Sequence, residues 1–123
     1  MKGSCLCGTV TFEAAGPASG FSVCHCGQCR KWSGHLWVSA HVPDDALKIR
    51  GKVRWFLSSE KARRAFCPAC GASLFWKHAD DDHTSFALGC IDGPTGARLE
   101  KHIFTACKGD YYEIADGLPQ NQQ

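Results

Sequence analysis

The sequence predicts a mainly β fold on three observations. Short segments rich in aromatic and β-branched residues recur along the chain, turn punctuation falls between them, and no helical period runs beyond about two turns. With 123 residues, 44% hydrophobic and 21% charged, the chain has the length and composition of a single globular domain over 1–123 with a modest core.

The first clear strand spans residues 8–13, where Val10 and Phe12 alternate with Thr9, Thr11 and Glu13, the period of a half-buried strand. Residues 36–42, 53–57, 73–76, 85–91 and 103–105 also read as strands, on their aromatic and β-branched content. Gly16-Pro17, Pro43-Asp44-Asp45, Gly51, Asp80-Asp81-Asp82 and Asp92-Gly93-Pro94 supply the turns. Helical turns are confined to 27–33, 44–47 and 60–63, all too short to stand alone. The three adjacent aspartates read as a solvated turn, since they lack the glycine and ligand spacing of a calcium loop. The polar tail is expected to fray after Pro119.

A net charge of +2 is too small to announce nucleic acid or an anionic membrane as partner. No run approaches the ~20 apolar residues of a membrane-spanning helix. The N-terminus, Met-Lys-Gly-Ser-Cys, has no apolar run of signal-peptide type. A cytoplasmic location is therefore expected.

Nine cysteines are the outlying number. In a reducing compartment they read as metal ligands rather than disulfides, and the odd count agrees. Cys5-Leu6-Cys7 places two sulfurs on one strand face with Leu6 turned away. Cys67-Pro68-Ala69-Cys70-Gly71 is a knuckle, with Gly71 available for a positive φ. Together these four thiolates complete a closed tetrahedral shell; iron is bound by four thiolates too, and the knuckle favours zinc. Cys24-His25-Cys26-Gly27-Gln28-Cys29 offers three sulfurs and no partner cysteine at motif spacing. Three protein ligands and an open position are the arrangement of catalytic zinc. A fourth ligand from His25, His35, His41, His102, Cys90 or Cys107 would instead make the site structural, and on spacing alone the two readings are even. Cys90 and Cys107 themselves read as small buried hydrophobes in strand-like surroundings.

Three segments recur together in one family: Gly3-Ser-Cys-Leu-Cys-Gly-Thr-Val, Cys24-His-Cys-Gly-Gln-Cys-Arg-Lys-Trp-Ser-Gly and Arg64-Ala-Phe-Cys-Pro-Ala-Cys-Gly-Ala-Ser-Leu-Phe. With Gly89-Cys-Ile-Asp, His102-Ile-Phe and Asp116-Gly-Leu-Pro, the chain resembles the glutathione-dependent formaldehyde-activating enzyme family from about Gly3 to Pro119. That family also includes the domain of centromere protein V. The resemblance implies a β-tent fold of small antiparallel sheets with two zinc ions. Cys5, Cys7, Cys67 and Cys70 would hold the structural ion, and Cys24, Cys26 and Cys29 the catalytic one. It further implies carbon–sulfur lyase chemistry, the reversible joining of formaldehyde to the glutathione thiol as S-hydroxymethylglutathione.

His25, His35 and His102 are candidate general acids or bases, because histidine titrates near neutrality. Arg30, Lys31, Lys61, Arg63 and Arg64 are the clustered cations available to substrate carboxylates, although a solvated basic face is the commoner role. Trp32, Trp37, Trp55 and Trp76 could line a pocket, with core packing the commoner role. The alternative to an enzyme is a zinc-stabilised binding module or thiol carrier without turnover. A plain metal store ranks last, because storage needs no ordered spacing.

Overall fold

A computed structural model describes the whole chain, Met1–Gln123. It is mainly β, with ten strands and one short helix: β1 (Lys2–Ser4), β2 (Thr11–Ala14), β3 (Ser19–Cys24), α1 (Gly27–Ser33), β4 (Trp37–Pro43), β5 (Leu47–Arg50), β6 (Arg54–Leu57), β7 (Ala62–Phe66), β8 (Ser73–His78), β9 (His83–Ala87) and β10 (Lys101–Ile103). Three single 3₁₀ turns lie at Asp44–Ala46, Leu88–Cys90 and Thr105–Cys107. The strands form one sheet ordered β1-β2-β5 and another ordered β10-β3-β4-β9-β8-β7-β6. Pairing is antiparallel except between β10 and β3, which run parallel.

Strand alternation sorts the seven-stranded sheet into two different faces. One carries Ala40 and Val42 of β4, Phe75 of β8, Phe86 of β9 and Ala65 of β7, all buried with Phe12 and Ala14 of β2 and with Val10 just before it in one core. Phe12 joins the sheets, its ring 5.0 Å from Phe75 at 79° and 5.9 Å from Phe86. The edge-to-face geometry suits aromatic quadrupoles. The opposite face presents Ser22, Cys24, Trp37, Ser39, His41, Ser85, Trp76 and Arg64, which the strand registers place side by side. That second face carries the site.

Several expectations are corrected. Residues 60–63 do not form a helical turn; Ala62 and Arg63 begin β7, where pairing with both β6 and β8 outweighs local propensity. Strands β1, β3, β5 and β7 escaped the sequence reading because they hold glycine, serine, lysine or arginine rather than a β-rich run. The strand expected at 85–91 stops at Ala87 and tightens into a 3₁₀ turn, and the one expected at 103–105 lies earlier, at Lys101–Ile103. The tail does not fray after Pro119. Asn121 donates to the His102 carbonyl at 2.8 Å and accepts from Thr105 N–H at 3.0 Å. Cys107 is exposed, not buried, and Cys90 is half-buried; both sit in 3₁₀ turns rather than strands.

Candidate metal centres and the cavity between strands

Cys5 and Cys7 lie not in a strand but in the turn between β1 and β2. The Gly8 N–H closes it on the Cys5 carbonyl at 3.1 Å, and the Val10 N–H donates to Cys5 Sγ at 3.3 Å. The β7–β8 connection repeats the design, with Gly71 N–H on the Cys67 carbonyl at 2.8 Å. Both turns end on a glycine at positive φ, +81° and +78°, a region costly for side-chain-bearing residues. The sulfurs of Cys5, Cys7, Cys67 and Cys70 all lie within 4.8 Å of one another. Cys5 and Cys7 are 3.6 Å apart, and Cys7 and Cys67 3.8 Å. A tetrahedron of ~2.3 Å metal–sulfur bonds has edges of about 3.8 Å. The donor set fits zinc.

Thr9 also belongs to this site, although within the Gly3–Val10 segment only the two cysteines are read as ligands. Its hydroxyl lies 3.1 Å from Cys7 Sγ and 3.4 Å from Cys67 Sγ. Hydrogen bonding from Thr9 and from backbone N–H groups lowers the Cys67 thiol to about 6. The thiolate is the metal-binding form.

Cys24 closes β3, Cys26 is the N-cap of α1, and Cys29 sits in its first turn. The Cys29 N–H donates to Cys26 Sγ at 3.3 Å, and Gly34 ends the helix at φ +90° with its N–H on the Arg30 carbonyl. The helix thus wraps three sulfurs around one point, again all within 4.8 Å of one another. None of the candidate fourth ligands joins them. As free thiols the three share protons. Hydrogen bonds from Cys24 and Cys29 draw Cys26 far below the usual range, to about 2, and Cys24 rises in exchange.

Arg64 corrects the expectation of a solvated basic face. It is only 5% exposed, with Nη1 3.5 Å from Cys29 Sγ and Nη2 donating to Gln28 Oε1 at 3.2 Å. Its guanidinium lies 5.0 Å from the centre of the Trp32 ring. No carboxylate pairs with it. A buried cation requires a compensating anion, and the cysteine thiolates supply it.

His25 turns away from the sulfurs, as its place between Cys24 and Cys26 predicts. It is buried in a chain of hydrogen bonds. Asp116 Oδ2 lies 2.7 Å from His102 Nε2, His102 Nδ1 lies 2.8 Å from His25 Nε2, and His25 Nδ1 meets the Tyr112 hydroxyl. An ionised carboxylate accepts only, so it fixes His102 as the Nε2–H tautomer; His25 must then donate from Nε2 and accept from Tyr112. This chain ties residues 112–116 to the end of β3 that presents Cys24. Burial first, then His102, lowers the His25 value. His25 should therefore remain neutral as the pH falls through about 6.5. Long-range proton–nitrogen NMR should show both rings as Nε2–H at neutral pH. A His25 ring that titrates at the ordinary value would refute the chain. His35 is elsewhere, on the Tyr111 hydroxyl at 2.8 Å.

Cys24, Cys26 and Cys29 line a cavity of about 480 Å³ above the second face of the sheet, together with Trp37 and Trp76. His25, His35 and His102 do not line it, which corrects their candidacy as acid or base for a ligand held there. Trp55 instead packs against the core beside Phe75. No helix is long and apolar enough to cross a membrane.

The chain is similar to known proteins. A Schizosaccharomyces pombe (strain 972 / ATCC 24843) protein named an uncharacterized lyase is 28% identical over 117 residues, 94% of this chain and 85% of that protein. A crystal structure of a Rhodobacter sphaeroides protein shares the fold, with TM-score 0.63 and 22% identity over 77% of this chain and 91% of that one. Residues 1–107 match the model of the family described as glutathione-dependent formaldehyde-activating enzyme. All seven clustered cysteines fall within that match, and the chain belongs to the glutathione-dependent formaldehyde-activating enzyme family.

Proposed function

We propose that the chain is a cytoplasmic, zinc-dependent carbon–sulfur lyase that acts on adducts of a thiol and an aldehyde, S-hydroxymethylglutathione being the type. One observation carries the reading: three cysteine sulfurs converge with no fourth protein ligand, and all three lie on the wall of a cavity. Cys24, Cys26 and Cys29 would hold the working zinc, and Cys5, Cys7, Cys67 and Cys70 a structural one. The whole chain acts as one zinc-held β-tent domain, its core at about 3–119.

The reaction breaks the carbon–sulfur bond of R–S–CH₂OH. The sulfur leaves with the bonding pair, the hydroxyl proton departs as the carbonyl forms, and the products are R–SH and formaldehyde. Zinc, when bound, would favour the thiolate form of the leaving sulfur. The three cysteines contribute negative charge to that centre, so the protein's part is chiefly to position the thiol. Arg64, against Cys29, offsets the charge that accumulates there.

The test is metal content followed by exchange kinetics. Protein purified without added metal or chelator should hold about two zinc ions per chain. Exchange NMR of thiol and formaldehyde should then show adduct formation and breakdown faster than the spontaneous rates. Two bound ions with no acceleration for any thiol tried would sink the enzyme reading and favour a thiol carrier.

A further inference from the structure

The wall of the cavity beyond the cysteines holds a feature that no motif announced. Lys101 of β10, Ser22 of β3 and Ser39 of β4 stand in register across three neighbouring strands. Ser85 of β9 pairs with His41, two residues further along β4. All five residues line the cavity that begins at the three cysteines. Ser22, Ser39 and Ser85 are 7%, 8% and 9% exposed, and their hydroxyls form no hydrogen bond within the protein. Trp37 Nε1, on the same wall, is fully buried without a partner. Buried polar groups are ordinarily satisfied. That nitrogen, with three hydroxyls facing the same cavity, suits a ligand that carries matching donors and acceptors.

The dimensions and charge narrow that ligand. Trp37, opposite Cys24, is four residues from His41 on β4, about 13 Å at ~3.3 Å per residue. His41 forms the far end. Its Nε2 meets the Ser19 hydroxyl at 3.0 Å and its ring lies 4.3 Å from His83. Gly20 permits this placement, for a Cβ there would fall 2.4 Å from the His41 ring. Burial, then His83, lowers His41, so the His41 ring is neutral at neutral pH. No aspartate or glutamate lines the cavity, and the cation beside the serine row is Lys101.

We propose that Ser22, Ser39, Ser85 and Lys101 form the specificity subsite for the body of the thiol: a peptide-sized chain whose amides lie along the hydroxyls and whose carboxylate meets Lys101, with its sulfur at the cysteines. The proposal rests on the reading of the three-cysteine centre as a thiol site and adds which thiols it selects. Short thiols reach the centre and leave the row unpaired. A thiol with the amides but no carboxylate forfeits Lys101.

The experiment is calorimetric titration of the zinc-loaded protein with four probes: glutathione, its diethyl ester, 2-mercaptoethanol and S-methylglutathione. The expected order is glutathione, then the ester, then 2-mercaptoethanol, with at least about tenfold between first and last. S-methylglutathione, which keeps the body and blocks the sulfur, should bind more weakly than glutathione and still respond to the same substitutions. In Lys101→Glu the preference for glutathione over its ester should vanish. In Ser39→Ala/Ser85→Ala the preference for glutathione over 2-mercaptoethanol should shrink about three- to tenfold. Equal affinity for long and short thiols, or preferences untouched by both variants, overturns the subsite while leaving the thiol centre standing. If no free thiol binds the zinc-loaded protein, the thiol centre itself falls and the subsite with it.

Discussion

Cys7→Ser is expected to unfold this protein, although Cys7 is exposed. Substitutions at exposed positions usually shift stability by no more than about 0.5 kcal/mol, so packing supplies no reason for a large effect. The reason is the metal that these four sulfurs would hold. Cys7 and Cys67 stand sixty residues apart in sequence and 3.8 Å apart at their sulfurs, and this closure ties the turn after β1 to the turn before β8. Apparent binding energies for structural zinc are about 10–16 kcal/mol near neutral pH, against about 5–15 kcal/mol for the net stability of a whole domain. Only 26 of 123 residues are buried, a core too small to absorb such a loss. Cys7→Ser should therefore lack a cooperative thermal transition and bind less zinc, and a strong chelator should do the same to the native protein. Cys90→Ser is the control. Cys90 is half-buried and outside both sulfur groups, so its replacement should leave a cooperative transition. A Cys7→Ser protein that melts within about 5 °C of native would show that the four-sulfur site does not hold the fold.

How much of this was legible depends on which signals are local. The helical turn read at 27–33 matches α1, whose start at Cys26 and stop at Gly34 depend on adjacent residues alone. The two sulfur groups were readable for the same reason: ligand spacing within a turn is a local property. Strand β7 was not, since Ala-Arg-Arg-Ala-Phe favours a strand only when β6 and β8 flank it. The turn at Cys5 was misread as a strand because alternation over three residues cannot separate the two. Its consequence, an outward Leu6 and two inward sulfurs, is the same in either geometry.

The rest of the site arises from pairing across the sheet. Local propensity does not set Arg64 apart from Arg63, yet strand alternation sends Arg64 to the buried face beside Cys29 and Arg63 over the Trp55 ring. The serine row is assembled from β3, β4 and β9, one residue from each, and register alone brings them together. Tyr112 reaches His25 through a fold-back over nearly ninety residues, and Asp116 holds the His102 ring that meets it. Histidines in the Cys24–Cys29 motif and near the C-terminus looked like acid–base candidates. Partners distant in sequence make them a brace instead.

Cys26→Ser should separate catalysis from folding. Cys26 is the N-cap of α1, and its sulfur accepts the Cys29 N–H. Serine is among the preferred N-cap residues and accepts the same bond, so the helix start survives the change. Cys26 is also only partly buried, which limits any packing loss. What disappears is one of three sulfurs, the one that hydrogen bonds from its two neighbours hold most strongly as thiolate. The expected protein is folded, melts within a few degrees of native, retains about one zinc per chain instead of two, and processes thiol–aldehyde adducts no faster than the spontaneous reaction. Cys29→Ser is a poorer probe, because Cys29 is buried and is the sulfur that answers Arg64. If Cys26→Ser unfolds as Cys7→Ser should, the second centre is structural and the enzyme reading fails. If it folds and keeps full activity, the chemistry lies away from these three cysteines. Loss of turnover with the fold intact is the outcome that assigns the two centres different work.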